Sequence, residues 1–336
     1  MPAPETQLAL VILAALVLYA LAGGADFGGG VWDLLANGPS ARRQRELIAH
    51  AIGPIWEANH VWLILVVVLL FTGYPMAFAA IATALHLPLM LALIGIVLRG
   101  SAFTFRKYDR DTENVHQRWS RVFAIASVVT PVMFGVCVGA IASGRIRVDP
   151  ATGHVNTDFV SAWLAPFPFA IGGLTLALFA LLAATYLTLE TRERELQRAF
   201  RARALGAAIA SGAFAWLALA LARTGAPALH LGLAASGWAL GFHLATGVAA
   251  VATIAALVLE RYRAARVLAV LQVTLVLIGW ALAQAPLLVP PDLSLANAAA
   301  PRHVIELLMR TLAIGAVVLF PALYVLFRVF KRHPGT

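Results

Sequence analysis

Apolar runs long enough to cross a bilayer recur from one end of this 336-residue chain to the other. A helix needs about 20 such residues to traverse hydrocarbon, so the recurrence predicts an all-α polytopic membrane protein with a single integral domain over 1–336. The charged fraction agrees, at 12%, about half that of a typical soluble domain. Nine spans are expected, roughly at 8–35, 53–73, 76–98, 120–143, 166–189, 204–222, 240–259, 266–288 and 308–330. The first run lacks a basic flank and leads into Asp26 and Asp33, so it reads as a retained span rather than a cleaved signal.

Lys and Arg test that count. Segments in or bordering the loops after spans one, three, five and seven, with the C-terminal tail, hold 20 of them. The N-terminus and the loops after spans two, four, six and eight hold 4, and Arg310 starts the last span. Basic residues collect on the cytoplasmic side, which puts the N-terminus outside and the C-terminus inside. The net charge of +9 is therefore a topology signal rather than a nucleic-acid surface. The single cysteine, Cys137, excludes an internal disulfide and a cysteine-cluster metal site. Two longer outer loops, 143–168 and about 285–307, are expected to cap the outer face, and no duplicated half is evident.

Ionisable groups within a membrane are costly and mark functional sites or buried pairs. In "GGADFGGGVWDLL" (23–35) Asp26 and Asp33 are seven apart and share a helical face. The surrounding glycines permit close approach of a neighbouring helix. The next span opens "GPIWEANHVWL" (53–63). At about 1.5 Å per residue, Asp26 lies roughly 10–14 Å from the inner surface and Glu57 roughly 6 Å. Carboxylates at stepped depths on antiparallel helices suit a proton path from the inside, because burial without a full counter-charge moves a carboxyl group toward neutrality. His60, one turn beyond Glu57, extends such a relay. The bland alternative is pairing of Asp33 or Glu57 with Arg42, Arg43 or Arg99, or snorkelling to the interface. His60, His86 and His243 fall on different spans, which disfavours a haem held between paired histidines. Glu306 and Arg310 are expected to pair at i,i+4, and 188–204 to form a solvated helical extension.

Together these motifs resemble subunit II of the cytochrome bd-type quinol oxidases and their cyanide-insensitive relatives. The resemblance is carried by "GADFGGGVWDLL" (24–35), "GPIWEANHVWL" (53–63), "LRGSAFTFR" (98–106) and "ATYLTLET" (184–191), in order and spacing over nearly the whole chain. Three positions depart: Gly23 and Thr104 stand where acids are common in the family, and Glu57 where many members have Asp, which places the chain in a divergent branch.

The resemblance implies two four-helix bundles plus one peripheral helix, in a bacterial cytoplasmic (inner) membrane. It implies a haem-bearing subunit I partner that oxidises quinol and reduces oxygen to water. Haems b and d, or b only, belong to that partner, and this chain binds no cofactor itself. The family also admits a small single-helix accessory subunit and a structural quinone alongside lipid. Asp26 and Glu57 take its proton-transfer positions, with His60 as a further relay. Trp56, Asn59, Trp62 and Arg99 are motif residues of structural weight. A proton-coupled secondary transporter would also use intramembrane carboxylates, but no matched pair of interrupted helices is visible. A free-standing haem cytochrome is the third reading.

Overall fold

The computed structural model describes residues 2–52, 56–108 and 113–331. They form α1 (Pro4–Leu34), α2 (Ala41–Ile52), α3 (Trp56–Gly73), α4 (Pro75–Ala84), α5 (His86–Tyr108) and α6 (Glu113–Ala142). Then come α7 (Pro166–Leu187), α8 (Arg194–Gly225), α9 (Pro227–Ala235), α10 (Ala239–Val258), α11 (Tyr262–Gln284) and α12 (Arg302–Lys331). A two-stranded antiparallel hairpin, β1 (Leu287–Val289) and β2 (Leu293–Ser294), separates α11 from α12. Among the described residues eight helices are long and apolar enough to cross a membrane, or nine where α2 and α3 are taken as one bent span.

Local chemistry sets the breaks. Proline opens α1, α4, α7 and α9, where its missing N–H is not needed. Gly38, at φ +73, and Pro39 follow the end of α1. Pro88 cannot donate to the carbonyl of Ala84, and the expected third span is divided there. Its membrane-length part is therefore His86–Phe105, displaced from the expected 76–98. Between α10 and α11, Glu260 takes φ 56, and the N–H of Arg261 reaches back to the carbonyl of Ala256 at 2.8 Å. That is a left-handed helix ending normally given to glycine; here Arg201 pairs with the Glu260 carboxylate at 2.7 Å.

The helices α1, α3, α5 and α6 form one bundle, and α7, α8, α10 and α11 a second. Helix α12 touches mainly α1 and α3 and stays peripheral, so the expected two bundles and outlying helix are found. The seam is α1 against α6 and α7. It closes tightly because a Cβ on Gly28 would stand 2.0 Å from the Phe179 carbonyl oxygen of α7, and one on Gly30 2.1 Å from Ser127 Oγ of α6. Phe27, Phe123 and Phe200 are fully buried around this seam.

The two long loops, 143–168 and about 285–307, are joined. Arg147 holds Asp292 through two bonds of 2.8 and 3.0 Å, and the Val148 N–H adds a third at 2.9 Å. At the far end of the bundles, Arg43 of α2 pairs with Glu193 and Glu195. The Arg-rich segment 41–52, expected as loop, is thus an amphipathic helix pinned to the start of α8. The charged 194–203 stretch is a continuous extension of α8.

Candidate functional site: a buried carboxylate between four helices

The glycine run that brings α1 against its neighbours also carries Asp26 into the interior, where it is 6% exposed. Three helices meet it. From α3, Asn59 (2% exposed) donates its amide to Asp26 Oδ2. From α5, Arg99 (2% exposed) donates Nη2 to the Asp26 carbonyl at 2.9 Å and Nε to Ser127 Oγ of α6 at 3.2 Å. Ser127 in turn donates its hydroxyl to the Phe123 carbonyl at 2.7 Å. The guanidinium lies 4.8 Å from the Phe27 ring centre and 5.1 Å from that of Phe123, within cation–π range. Asp26 and Arg99 attract one another as charges. Burial of either alone would be prohibitive; buried together and hydrogen-bonded they are tolerable.

His60 of α3 stands beside this cluster, its ring 6.0 Å from that of Tyr19 and 6.1 Å from that of Phe27. Glu57 differs from the expectation. It is exposed, because residues two apart on a helix point about 200° from one another and Asn59 is the one turned inward. The structure brings Asp26, Asn59 and Arg99 together, sets His60 alongside, and leaves Glu57 on the surface of α3. Trp62 lines a neighbouring cavity; the side chain of Trp56 and residues 53–55 lie outside the described residues. Asp33 is buried, and Arg45 donates to its carbonyl at 3.4 Å and to that of Ala36 at 2.9 Å, closing the end of α1. Arg42 pairs with Glu46. At the last span Glu306 pairs with Arg302 rather than the expected Arg310, although the charge of Arg310 acts on it too.

The cavity, about 320 Å³, runs from Asp26 and Asn59 to Glu190 and Arg266. Its walls come from α1 (Ala22, Ala25, Gly29), α7 (Ala183, Tyr186) and α12 (Leu323). Arg266 lies over the Tyr186 ring at 5.0 Å, and both Glu190 and Arg266 are exposed, so they form its mouth. The volume is large enough to admit water between its polar ends. Sequence reasoning missed the mouth. Glu190 and Tyr186 lie within "ATYLTLET", but nothing in that stretch relates it to Asp26.

The intramembrane histidines do not converge. His86 Nδ1 contacts the Thr83 carbonyl at 3.0 Å, and His243 Nε2 that of Leu233 at 2.9 Å. Among the described residues no three His, Cys, Asp or Glu side chains gather as a metal site. Among the described residues this arrangement does not fit a haem ligated between helices of this chain.

Membrane-length helices enclosing a hydrogen-bonded carboxylate and guanidinium define an integral membrane protein with an internal polar site. Comparison with known proteins names the family: the model for cytochrome bd terminal oxidase subunit II matches residues 4–330, and the chain belongs to that family. It is 21% identical over 332 residues to the putative cytochrome bd menaquinol oxidase subunit II of Bacillus subtilis (strain 168), covering 96% of this chain and 94% of the relative. It is 28% identical over 184 residues to the cytochrome bd-I ubiquinol oxidase subunit 2 of Escherichia coli (strain K12). That match takes in 54% of this chain and spans about half of the relative, 48%. The fold is that of a chain in the bd oxidase from Geobacillus thermodenitrificans, with TM-score 0.80, 18% identity and 97% and 98% of the two chains covered.

Proposed function

We propose that this chain is the non-haem subunit of a bd-type terminal quinol oxidase in a bacterial cytoplasmic membrane. It pairs with a haem-bearing subunit I that oxidises quinol and reduces oxygen to water, with its N-terminus outside. The haems belong to the partner and supply the electron transfer and oxygen chemistry. This chain's part is to admit protons from the inner aqueous phase, since reducing oxygen to water consumes them.

The observation that carries this reading is the cavity joining exposed Glu190 to buried Asp26. Glu190 lies in the basic-rich loop between spans five and six, which the charge bias assigns to the inner side. Water in the cavity would bring a proton to Asp26 Oδ1 or Oδ2, with the Asn59 amide fixing the rotamer of that carboxyl. Arg99 keeps the site from being left as an isolated buried anion. Glu57, exposed on α3, offers a second carboxylate on the surface available to the partner, and His60 a ring between the two helices. A bound structural quinone, lipid and a single-helix accessory subunit are compatible with this role.

The test uses the whole oxidase. In Asp26→Asn and Glu57→Gln, oxygen consumption is expected to fall by about a hundredfold or more, the range for removing a proton-transfer group, while haem content and co-purification of the two chains persist. Unchanged turnover in both variants from acid to alkaline pH would remove the proton role; a chain that purifies alone would remove the oxidase assignment.

A further inference from the structure

A second pocket, about 460 Å³, opens at the opposite end of the second bundle, where α8, α9 and α10 meet. Its polar lining is Arg223 at the end of α8, His230 on α9 and His243 on α10; its apolar lining includes Trp216, Leu233 and Leu240. Trp216 is 71% exposed and Leu240 73%, so the pocket opens sideways toward the hydrocarbon, with its cation at one rim. Trp and Arg at a span end are the residue types that sit at the headgroup level.

Among the described residues no carboxylate pairs with Arg223. It is the only Lys or Arg between Arg203 and Arg261, and no Asp or Glu lies between Glu195 and Glu260. The surrounding α7, α9, α10 and α11 carry no acid at all. Glu195, on the same helix, is 28 residues away, about 42 Å along the axis. Among the described residues no hydrogen bond or ion pair engages Arg223, and the His230 Nδ1 is buried without a hydrogen-bond partner. A cation at the rim of a pocket whose lining includes the histidines His230 and His243, at a membrane boundary, suits an oxyanion, and the apolar, lipid-facing wall suits a chain attached to it.

We infer that this pocket is a binding site for one anionic phospholipid, its phosphate held by Arg223 and His230 and its acyl chain laid along Trp216 and Leu240. The site is independent of the proton route. It predicts a lipid that stays with the protein after the annular lipid has been washed away.

The test is lipid titration of the detergent-purified protein, with its co-purifying chains, followed by native mass spectrometry. A photoactivatable phosphatidylglycerol locates the site. One phosphatidylglycerol is expected to be retained at least tenfold more tightly than phosphatidylcholine, with crosslinks mapping to 216–243. Arg223→Gln should weaken it about tenfold and His230→Gln by a smaller factor, with Arg223→Lys recovering part of the loss. His230→Gln carries the test should Arg223→Gln fail to give a monodisperse protein. Equal retention of the two lipids, retention unchanged in the variants, or crosslinks elsewhere would overturn the site. Displacement of the lipid by inorganic phosphate alone would show a free-anion site and overturn the lipid assignment.

Discussion

Helices α1 and α10 are both apolar, both glycine-containing and both long enough to span a membrane, yet they do opposite things with those residues. On α1 the glycines meet other helices: a Cβ on Gly24 would meet Phe179 at 2.6 Å, on Gly28 the backbone of α7, on Gly29 Ile52 at 2.5 Å. On α10, Gly241 and Gly247 look into open space, with nothing within 4 Å of an added Cβ. Leu240, Leu244, Val248 and Val251 around them are exposed. Glycine content alone therefore does not report packing. What separates the helices is the ionisable residue among the glycines of α1: close approach brings Asn59 of α3 and Arg99 of α5 within hydrogen-bonding reach of Asp26. Helix α10, which faces outward, has no such donors and carries no charge.

The sharpest way to break that contrast is a matched pair of substitutions. Gly28→Val is expected to cost more than about 4 kcal/mol, the range reserved for gross overpacking, because its first side-chain atom falls on the Phe179 carbonyl; the protein should fail to accumulate in the membrane. Gly247→Ala should be neutral or stabilising by up to about 1 kcal/mol, from helix propensity alone. Equal melting temperatures for the two would refute the packing assignment.

Next in size is the buried cation. Arg99→Leu strands the Asp26 carboxylate and is expected to destabilise by about 3–5 kcal/mol, seen as a fall in melting temperature. Adding Asp26→Asn to it should restore part of the loss, and strict additivity of the two would mean that they do not interact.

The smallest effect concerns an exposed pair, Arg147 and Asp292. The Arg147 hydrogen bonds hold the Asp292 carboxyl below its usual range. A carboxylate depressed on folding lends stability that is present above its unfolded value, near pH 4, and fades as pH falls through the folded value. Asp292→Asn should therefore loosen the amides of 145–157 in hydrogen exchange at neutral pH and flatten the acid-side slope of melting temperature. An unaltered slope would show that the clamp contributes nothing.

Much of the architecture was legible in the chain, because apolar length and basic asymmetry are set by the solvent rather than by tertiary contacts. Eight of the membrane-length helices, nine with α2 and α3 taken as one, and the burial of Asp26 followed from them, while the grouping into two bundles came from the family resemblance. What was hidden depended on rotation and distance. Glu57 and Asn59 are two residues apart, and only the helix phase decides that Asn59 turns inward. Arg99 stands 73 positions beyond Asp26 on another helix, so a motif could mark it without naming its partner. Helix α2 escaped notice because 41–52 is rich in arginine and reads as a solvated loop; its apolar stripe, Ile48 and Ile52, is short. The division at Leu85 was signalled by Pro88, a break that apolar length alone conceals.

The grip of Arg99 on a peptide oxygen has a consequence for how the interior is charged. That oxygen and the Ser127 hydroxyl are available whether or not the adjacent carboxyl carries a proton, so the guanidinium stays in place through either state. On the proposed proton route the Asp26–Arg99 pair would pass between electroneutral and singly positive and would not be left singly negative. A proton taken up by Asp26 on that route would end a zwitterion rather than neutralise a lone anion.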